Sequence, residues 1–379
     1  METSRFYYTE NTGDAELSDW LTQCQQAFPA FGLFAMVAEQ DLPQVSELQA
    51  LCRDRQIALA GGVFPQLIWQ DQLHARGILL YALRCNPSVL LLEDINDASG
   101  RPQPAALDRL TDFADASAEG GRLLTLFDGL VPNISSILQA VYAAIGDKVG
   151  YMGVAAGSER FQPMPCLFDN DRLVGNGVLA MRLPPTARIH LECGYSVPSE
   201  LMPSTSSIGN RIEQIDWRPA FDVYVELVQR HYGVHISQEN FYQHAVHFPF
   251  GVIRADGEVL VRIPVALQDD GALMCVGEIP ANSLLTVVHA IEPGDLSSAE
   301  RLAKAVAQQQ KEQALLFYCA GRRMHLGDQA VEEIQHLSRA VQPTQLAGAL
   351  TLGEVGSAAA SHFPLFYNAT LVVIAGLCR

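Results

Sequence analysis

The stretch that decides the fold is ALLFYCAGRR, residues 314–323, an apolar run that ends in Gly321-Arg322-Arg323. A short apolar run bounded by turn residues is typical of a buried strand. Gly321 allows a ligand to approach the backbone closely. Arg322 carries a planar fork of donors that can clamp a carboxylate or phosphate, or form a structural ion pair. The segment therefore predicts a ligand-contacting turn at the carboxyl end of a strand, where α/β folds hold their ligands.

Two later segments have the same character. GALTLGEVGS, residues 348–357, places Glu354 directly after Gly353 at the end of an apolar strand, and FYNATLVVI, residues 366–374, forms a final strand. Glu354 can accept a hydrogen bond from an amine ligand, orient Arg322, or cap a turn. Because both turns are glycine-bearing ends of apolar strands, we expect the turn at 321–322 to lie close to the turn at 353–354.

Strand-like and helix-like segments alternate through the first half of the chain, and strands are more frequent in the second half. Alternation at this spacing predicts an α/β layer architecture with mixed sheets packed by helices. Pro, Ser and Gly concentrate between 195 and 220, which predicts a domain boundary there. No internal repeat is evident in the sequence.

Composition excludes several classes of function. The net charge of −17 disfavours nucleic acid and anionic membranes, since both require clustered cations. The N-terminus has no signal-peptide pattern, and no apolar run approaches the ~18 residues of a membrane span. None of the eight cysteines has C-x-x-C spacing, so we expect free, buried thiols in a reducing cytoplasm.

Signatures of catalysis are missing from the sequence. There is no G-x-S-x-G elbow, no phosphate-binding loop ending in Lys-Ser or Lys-Thr, and no H-E-x-x-H helix. We therefore predict a binding protein that is not an enzyme. The alternative, an enzyme, would use Cys166, Glu354 or His325 as its nucleophile or base.

Four histidines are candidate metal ligands. His244 and His247 are three residues apart and would share a helix face, although Pro249 favours an irregular segment that holds them as loop residues. His190 alternates with apolar neighbours in a strand, and His325 follows the turn that carries Arg322. Each has a structural alternative, either a half-buried strand residue or a surface loop residue.

Several motifs in order resemble the FIST (F-box and intracellular signal transduction) family. The segments that carry the resemblance are LLFYCAGR (315–322), LTLGEVG (350–356), YNATL (367–371), NRIEQIDWRPA (210–220) and FPFG (248–251) with Val261-Arg262. Looser matches are GGVFP (61–65), DGLVPN (128–133), Gly153 to Ser158, and PCLF (165–168). Tyr367 replaces the histidine usual in the family's closing element. The resemblance spans roughly residues 30–375.

The resemblance implies a stand-alone sensory protein built from two adjoining FIST-type domains. The expected divisions are an N-terminal extension (1–29), an N-terminal domain (30–210) and a C-terminal domain (211–379). A small-molecule ligand is expected at a site formed by Gly321, Arg322, Gly353, Glu354 and Cys166. The expected partner is a histidine kinase or a cyclic-di-GMP enzyme, and a homodimer is a further option.

One branch of the family consists of haem-containing nitric-oxide sensors. This implies that the cofactor is haem b, held without covalent attachment by one of His247, His190, His325 or His244. His247 adjoins the apolar Phe248-Pro-Phe segment, and Arg322 and Arg323 beside His325 could pair with the haem propionates. The alternative is a haem-free receptor for an amino acid or similar metabolite.

Overall fold

Buried apolar strands alternate with amphipathic helices through most of the chain, which confirms the predicted mixed α/β fold. The computed structural model describes residues 4–97, 99–195, 201–255, 257–288, 291–292, 294–308, 313–342, 344–357 and 363–377. The helices in these ranges are α1 (Ala15–Ala27), α2 (Gln44–Asp54), α3 (Pro104–Asp115), α4 (Ile134–Ile145), α5 (Ala220–Tyr232), α6 (Phe241–His244), α7 (Ser297–Ala307), α8 (Ala320–Leu326) and α9 (Gln329–Ala340), with a 3-10 turn at Glu39–Asp41.

Strands form four sheets. Their bounds are β1 (Phe6–Thr9), β2 (Gly32–Ala38), β3 (Ala58–Phe64), β4 (Leu67–Trp69), β5 (Gln72–His74), β6 (Ile78–Leu83), β7 (Ser88–Leu92), β8 (Arg122–Asp128), β9 (Gly150–Ala156), β10 (Leu167–Asp169), β11 (Leu173–Val174), β12 (Val178–Leu183), β13 (Arg188–Glu192), β14 (Met202–Ile208), β15 (Arg211–Ile215), β16 (Arg218–Pro219), β17 (Phe250–Ile253), β18 (Val259–Arg262), β19 (Pro264–Leu267), β20 (Leu273–Cys275), β21 (Leu284–Val287), β22 (Ala314–Cys319), β23 (Leu346–Thr351), β24 (Glu354–Ser357), β25 (Pro364–Tyr367) and β26 (Leu371–Ala375).

Three of the sheets have the same strand order, so the chain contains a threefold repeat. Their orders are β1-β6-β2-β3-β10-β11, β7-β12-β8-β9-β24-β25 and β13-β26-β22-β23-β4-β5. Each repeat unit contributes two parallel strands joined through a helix, followed by a hairpin and then a strand antiparallel to the first. The expectation that the chain has no internal repeat was therefore wrong.

Each hairpin joins the sheet of a different unit. Hairpin β4–β5 of the first unit pairs with β23 of the third, β10–β11 of the second with β3 of the first, and β24–β25 of the third with β9 of the second. Strand β13 also pairs with β26. Strands from both halves of the chain therefore share sheets, and β1, from the segment expected to be an extension, completes the first of them.

Equivalent backbone hydrogen bonds recur in the three repeat units, although the side chains at these positions differ. The amide of Ala38 donates to the carbonyl of Gly77 at 3.0 Å, and the equivalent amides of Asp128 and Cys319 donate to Gly177 and Thr370, each at 3.1 Å. An alanine, an aspartate and a cysteine thus occupy one structural position. The repeat is carried by main-chain geometry, which is why residue identities conceal it.

A separate unit of antiparallel strands, residues 201–288, is inserted within the third repeat unit, between its first strand β13 and helix α7. Its sheet runs β18-β17-β21-β14-β15-β20-β19, with β16 paired to β15. Helix α5 covers this sheet through apolar residues such as Val223, Tyr224 and Leu227. The main chain of β25 accepts a hydrogen bond from Arg262, so the inserted unit is attached directly to the third repeat unit.

Local details differ from the sequence expectations in one place. Strand β3 runs through Gly61-Gly62 to Phe64, with Gly61 in its interior because the adjacent backbone leaves no room for a Cβ. Gly321-Arg322 is the first turn of helix α8, which begins directly after β22, and not a loop. No helix in the described part of the chain has the length and apolarity to cross a membrane.

The cysteines also differ from expectation. Six described cysteines are free thiols, as expected: Cys24, Cys52, Cys166, Cys193, Cys275 and Cys319. Cys85, in the segment between β6 and β7, is disulfide-bonded, so the expectation of a fully reduced set was wrong at this position. Cys378 lies outside the described residues.

One glycine in each repeat unit permits close strand packing. A Cβ on Gly61 would lie 2.2 Å from the carbonyl oxygen of Ala35, on Gly153 2.1 Å from that of Thr125, and on Gly348 1.8 Å from that of Leu316. These three glycines are equivalent, and each faces a hairpin strand from another unit. At these positions only glycine lets the two parallel strands of a unit lie so close together.

Replacement of Gly348 by alanine is therefore expected to destabilise the fold by about 3 kcal/mol or more, because the clash is with backbone that cannot move aside. Urea denaturation followed by circular dichroism measures the loss. Gly13→Ala is the matched control, since a Cβ there would meet only the end of a flexible side chain at 3.3 Å. Equal stability of the two variants would contradict this account of the glycines.

Candidate functional site

A cavity of about 230 Å³ opens at the carboxyl end of β22, between the third repeat unit and the inserted unit. The repeat units contribute lining residues around the start of α8, and the inserted unit contributes residues of α6, β19 and the segments beside them. The lining residues are Glu159, Phe161, Tyr242, Ala245, Val246, Ile263, Pro264, Val265, Val276, Cys319, Ala320, Gly321, Met324, Leu352 and Asn368. The cavity is therefore mainly apolar.

Two polar side chains in this lining have unpaired atoms. Asn368 is 1% exposed, and neither its amide oxygen nor its amide nitrogen has a hydrogen-bond partner among the described residues. Glu159 has one buried carboxylate oxygen, Oε2, that is likewise without a partner. A buried polar atom without a partner costs about 1–3 kcal/mol, so a ligand that supplies the partner recovers that free energy.

The charge of the lining restricts what can bind. Among the described residues that line the cavity, Glu159 is the single acid, and there is no arginine, lysine or histidine. An anionic group would therefore meet no cation here, whereas an amine would meet Glu159. Apolar walls with a few convergent polar groups are the usual composition of a small-molecule site.

Arg322, predicted to contact a ligand, is instead held inside the protein. Its Nη2 donates to Glu333 Oε1 at 2.6 Å and its Nε to Glu333 Oε2 at 2.8 Å, while Nη1 donates to the carbonyl of Cys193 at 2.9 Å. Tyr318 donates to the same carboxylate at 2.7 Å. Arg322 and Glu333 thus form a buried bidentate ion pair that anchors α8 to α9.

Glu354 is the first residue of β24, in a different sheet from β22 and β23, close to the cavity but outside its lining. Its carboxylate accepts hydrogen bonds from Thr351 Oγ1 at 2.6 Å and from Thr370 Oγ1. Burial raises the pKa of Glu354 to about 7, and the two hydroxyls oppose this rise. Gly353, the residue before Glu354, has a φ of 154°, and a Cβ there would clash with the ring of Phe366. At this glycine the chain passes from the sheet of β23 to that of β24.

The turns at 321–322 and 353–354 lie side by side, because Cys319 and Thr351 are paired neighbours on β22 and β23. Gly321 lines the cavity, and a Cβ there would lie 2.4 Å from Ile263 of the inserted unit. Cys166 is fully buried between strands and does not line this cavity. Burial raises the pKa of its thiol, as it does for Cys319, so both are held neutral.

Two of the four candidate histidines meet at the seam between the inserted unit and α8. His247 Nδ1 and His325 Nδ1 are 2.7 Å apart, and His325 Nε2 donates to the carbonyl of Ile291 at 2.8 Å. Since Nε2 carries the proton of neutral His325, its Nδ1 accepts from His247. The contact needs one Nδ1 that carries a proton and one that accepts it, so it is lost when both imidazoles are protonated.

The other two histidines lie elsewhere. His190 is on strand β13 opposite Val373, and His244 ends α6 near the ring of Phe248. None of the four lines the cavity, and the described residues contain no cluster of three or more groups suited to a metal ion.

The described lining of this cavity does not fit haem, because it offers no histidine to bind iron, and Arg322, expected to pair with a propionate, is already paired with Glu333.

Sequence reasoning missed the two residues that give the cavity its polarity. Asn368 was visible within the YNATL element but was treated only as part of the final strand, and Glu159 gave no signal because it lies in a loop. It also missed Glu333 of α9. The pairing of Glu333 with Arg322 depends on how α8 and α9 pack, which the sequence does not reveal.

Comparison with known families gives two matches that together span most of the chain. The FIST N domain matches residues 30–218 and the FIST C domain matches residues 220–357. A search of the curated proteins finds no match. The junction between the two domains falls inside the inserted unit, between β16 and α5.

The buried ion pair yields a stability prediction. Arg322→Met and Glu333→Gln should each destabilise the protein by about 3–5 kcal/mol, because each leaves a buried polar or charged partner uncompensated. Chemical denaturation measures both. Arg323→Met is the matched control, since Arg323 forms no ion pair with the described residues and its loss should cost about 1 kcal/mol or less. Wild-type stability of Glu333→Gln would contradict a structural role for the pair.

The histidine contact yields a pH prediction. Burial, with His325 and His244 nearby, lowers the pKa of His247 below its ordinary value near 6.5. At pH values between the lowered pKa of His247 in the fold and its ordinary pKa in the unfolded chain, the unfolded chain binds more protons than the folded protein. The stability that comes from a neutral His247 is therefore lost as pH falls below about 6.5. The raised pKa of Glu354 has the opposite effect on the pH dependence of stability. The contribution of His247 is therefore measured by comparing the pH profile of a His247 variant with that of the wild type.

The free energy of unfolding should therefore fall less steeply with acid in His247→Gln than in the wild type, measured by denaturation between about pH 7.5 and 5. His235→Gln is the control, because His235 is exposed in the same unit. If His247→Gln and His235→Gln have the same pH profile as the wild type, the contact does not carry this dependence.

Proposed function

Because the chain belongs to the FIST family, whose domains are sensory modules of signal transduction, we propose that it detects a small molecule bound in the cavity between the third repeat unit and the inserted unit. The observation that carries this proposal is Asn368, a fully buried amide with two unpaired atoms in the lining of an apolar cavity. Such a residue costs stability unless something else pairs with it.

The lining suggests the kind of ligand. An apolar body of one or two rings suits the volume, since a cavity of about 150 Å³ already accepts benzene. An amide or similar group can offer both a donor and an acceptor to Asn368, and an amine can donate to Glu159. The ligand is therefore neutral or cationic, with an apolar body.

This ligand class bears on the alternatives from the sequence. An amino-acid receptor would have to hold an α-carboxylate, and the described lining offers no cation for it. Haem and nitric-oxide sensing remain predictions of the resemblance that no finding tests, and the placement of the four histidines does not favour them. An enzyme using Cys166 or Glu354 gains no support, because neither residue lines the cavity.

The position of the cavity suggests how binding is signalled. Its walls come from two units of the chain that also meet at His247 and His325 and at Arg262. A ligand that touches both walls stabilises one arrangement of the units over others, which is the differential affinity that a conformational signal requires. The receiving protein, expected to be a histidine kinase or a cyclic-di-GMP enzyme, remains a prediction.

Three probes of one shape test the ligand class: tryptamine, indole-3-acetamide and indole-3-acetate, which are cationic, neutral and anionic. Calorimetry should show saturable binding of the first two and none of the third. Glu159→Gln should weaken tryptamine binding about tenfold, the value of a charged hydrogen bond, and leave indole-3-acetamide unchanged. Asn368→Leu should weaken indole-3-acetamide.

A pair of tryptophan variants tests the location. Val246→Trp fills the cavity and should abolish binding, whereas Val225→Trp, a half-buried position on α5 away from the cavity, should not. No saturable binding of any probe to the wild type would contradict the proposed site. Equal binding of indole-3-acetate and tryptamine would contradict the proposal that the ligand is neutral or cationic, but not the proposed location of the site.

A further inference from the structure

A second cavity, of about 320 Å³, lies on another side of the inserted unit, where β18 meets β25 and the start of α4. Part of its lining is apolar, including Val252, Leu260 and Leu365. The polar part includes Arg262, Ser135, Ser136 and Glu278. None of these residues lines the first cavity, so the two sites are independent.

Arg262 is the unusual residue here. It is 2% exposed, and its Nε and Nη1 donate to three main-chain carbonyls, those of Glu278, Val261 and Phe366 at 2.8, 2.9 and 3.1 Å. Among the described residues no carboxylate lies within ion-pair distance of it, and its Nη2 has no hydrogen-bond partner. Burial lowers its pKa to about 10, so the guanidinium is still charged at neutral pH.

The two fully buried arginines differ in this respect. Arg322 is neutralised by the bidentate carboxylate of Glu333, whereas the hydrogen bonds of Arg262 go to main-chain carbonyls, and Glu278, the acid in the same lining, is near it but forms no ion pair with it. A buried charge without a counter-ion is costly, and native proteins ordinarily pair it. The missing partner of Arg262 is thus accounted for if an anion enters the cavity that it lines.

A second donor lies in the same lining. The hydroxyl of Ser135, in the first turn of α4, is buried and has no hydrogen-bond partner in the described part of the chain. The neighbouring Ser136 is already occupied, since its amide donates to Glu278 Oε2 at 2.8 Å and its hydroxyl to Glu278 Oε1 at 2.5 Å. Glu278 therefore binds the helix start, and the nearby Arg254 adds a second positive charge to the lining.

We propose that this cavity binds a small oxyanion, a carboxylate or a phosphate on a compact body, through Arg262 Nη2 and the Ser135 hydroxyl. Arginine is suited to both kinds of oxyanion because its donors are planar and permanently charged. Occupation would join the inserted unit to α4 and β25, and so fix it against the repeat units.

Calorimetric titration of the full chain with sodium phosphate, and separately with sodium butyrate, tests the proposal at constant ionic strength. Saturable binding of either probe is expected, and the preferred probe identifies the class of anion. Ser135→Ala should weaken that binding about three- to tenfold, the value of one hydrogen bond. Arg262→Lys should weaken it tenfold or more, because lysine lacks the fork.

The matched control is Ser117→Ala, which removes another buried, unpaired hydroxyl far from this cavity in the chain and should leave binding unchanged. Ser135→Ala removes no hydrogen bond, so it tests the site even if Arg262→Lys fails to fold. The proposal is overturned if neither probe saturates the wild type, or if Ser135→Ala binds as tightly as the wild type.

Discussion

The exchange of hairpins between repeat units is the constraint on which the rest of the structure depends. Each unit has two parallel strands whose outer edge is exposed until a hairpin from another unit pairs with it. An unpaired strand edge leaves a row of backbone donors and acceptors unsatisfied. Because each hairpin completes a sheet that its own unit does not contain, the three units stabilise one another. The glycines at 61, 153 and 348 lie opposite the hairpin strands, where each lets the two parallel strands of its own unit approach closely.

The candidate site follows from this arrangement. Gly353 carries the chain from one sheet into another, and the strand that returns brings Asn368 beside the end of β22. The inserted unit then closes the space above with Tyr242, Val246 and Ile263. The nearby Arg322 and Glu333 form an ion pair with each other and do not line the cavity. The cavity is therefore mainly apolar, and its polar groups are the amide of Asn368 and the carboxylate of Glu159.

Local patterns in the sequence predicted the elements well and their assembly poorly. The apolar run at 314–319 forms the expected buried strand, because a short, continuous apolar segment bounded by turn residues is a local signal of burial. The closeness of Gly321 to Gly353 also followed from strand ends alone. The pairing of Arg322 with Glu333 did not, since it depends on how α8 and α9 are placed. The repeat stayed hidden because equivalent positions share backbone geometry while holding unrelated side chains, as Ala38, Asp128 and Cys319 do.

The order in which the chain leaves the ribosome gives the exchanged hairpins a further consequence. Hairpin β4–β5 is synthesised early, but its partner β23 begins only at Leu346, some 270 residues later. Contacts of such separation are formed slowly, because the intervening loop must close first. Leu67 and Ile68 are fully buried only in the finished sheet. During synthesis the edge of this short apolar strand therefore stays unpaired until β23 has been made. We expect the nascent protein to be prone to aggregation up to that point.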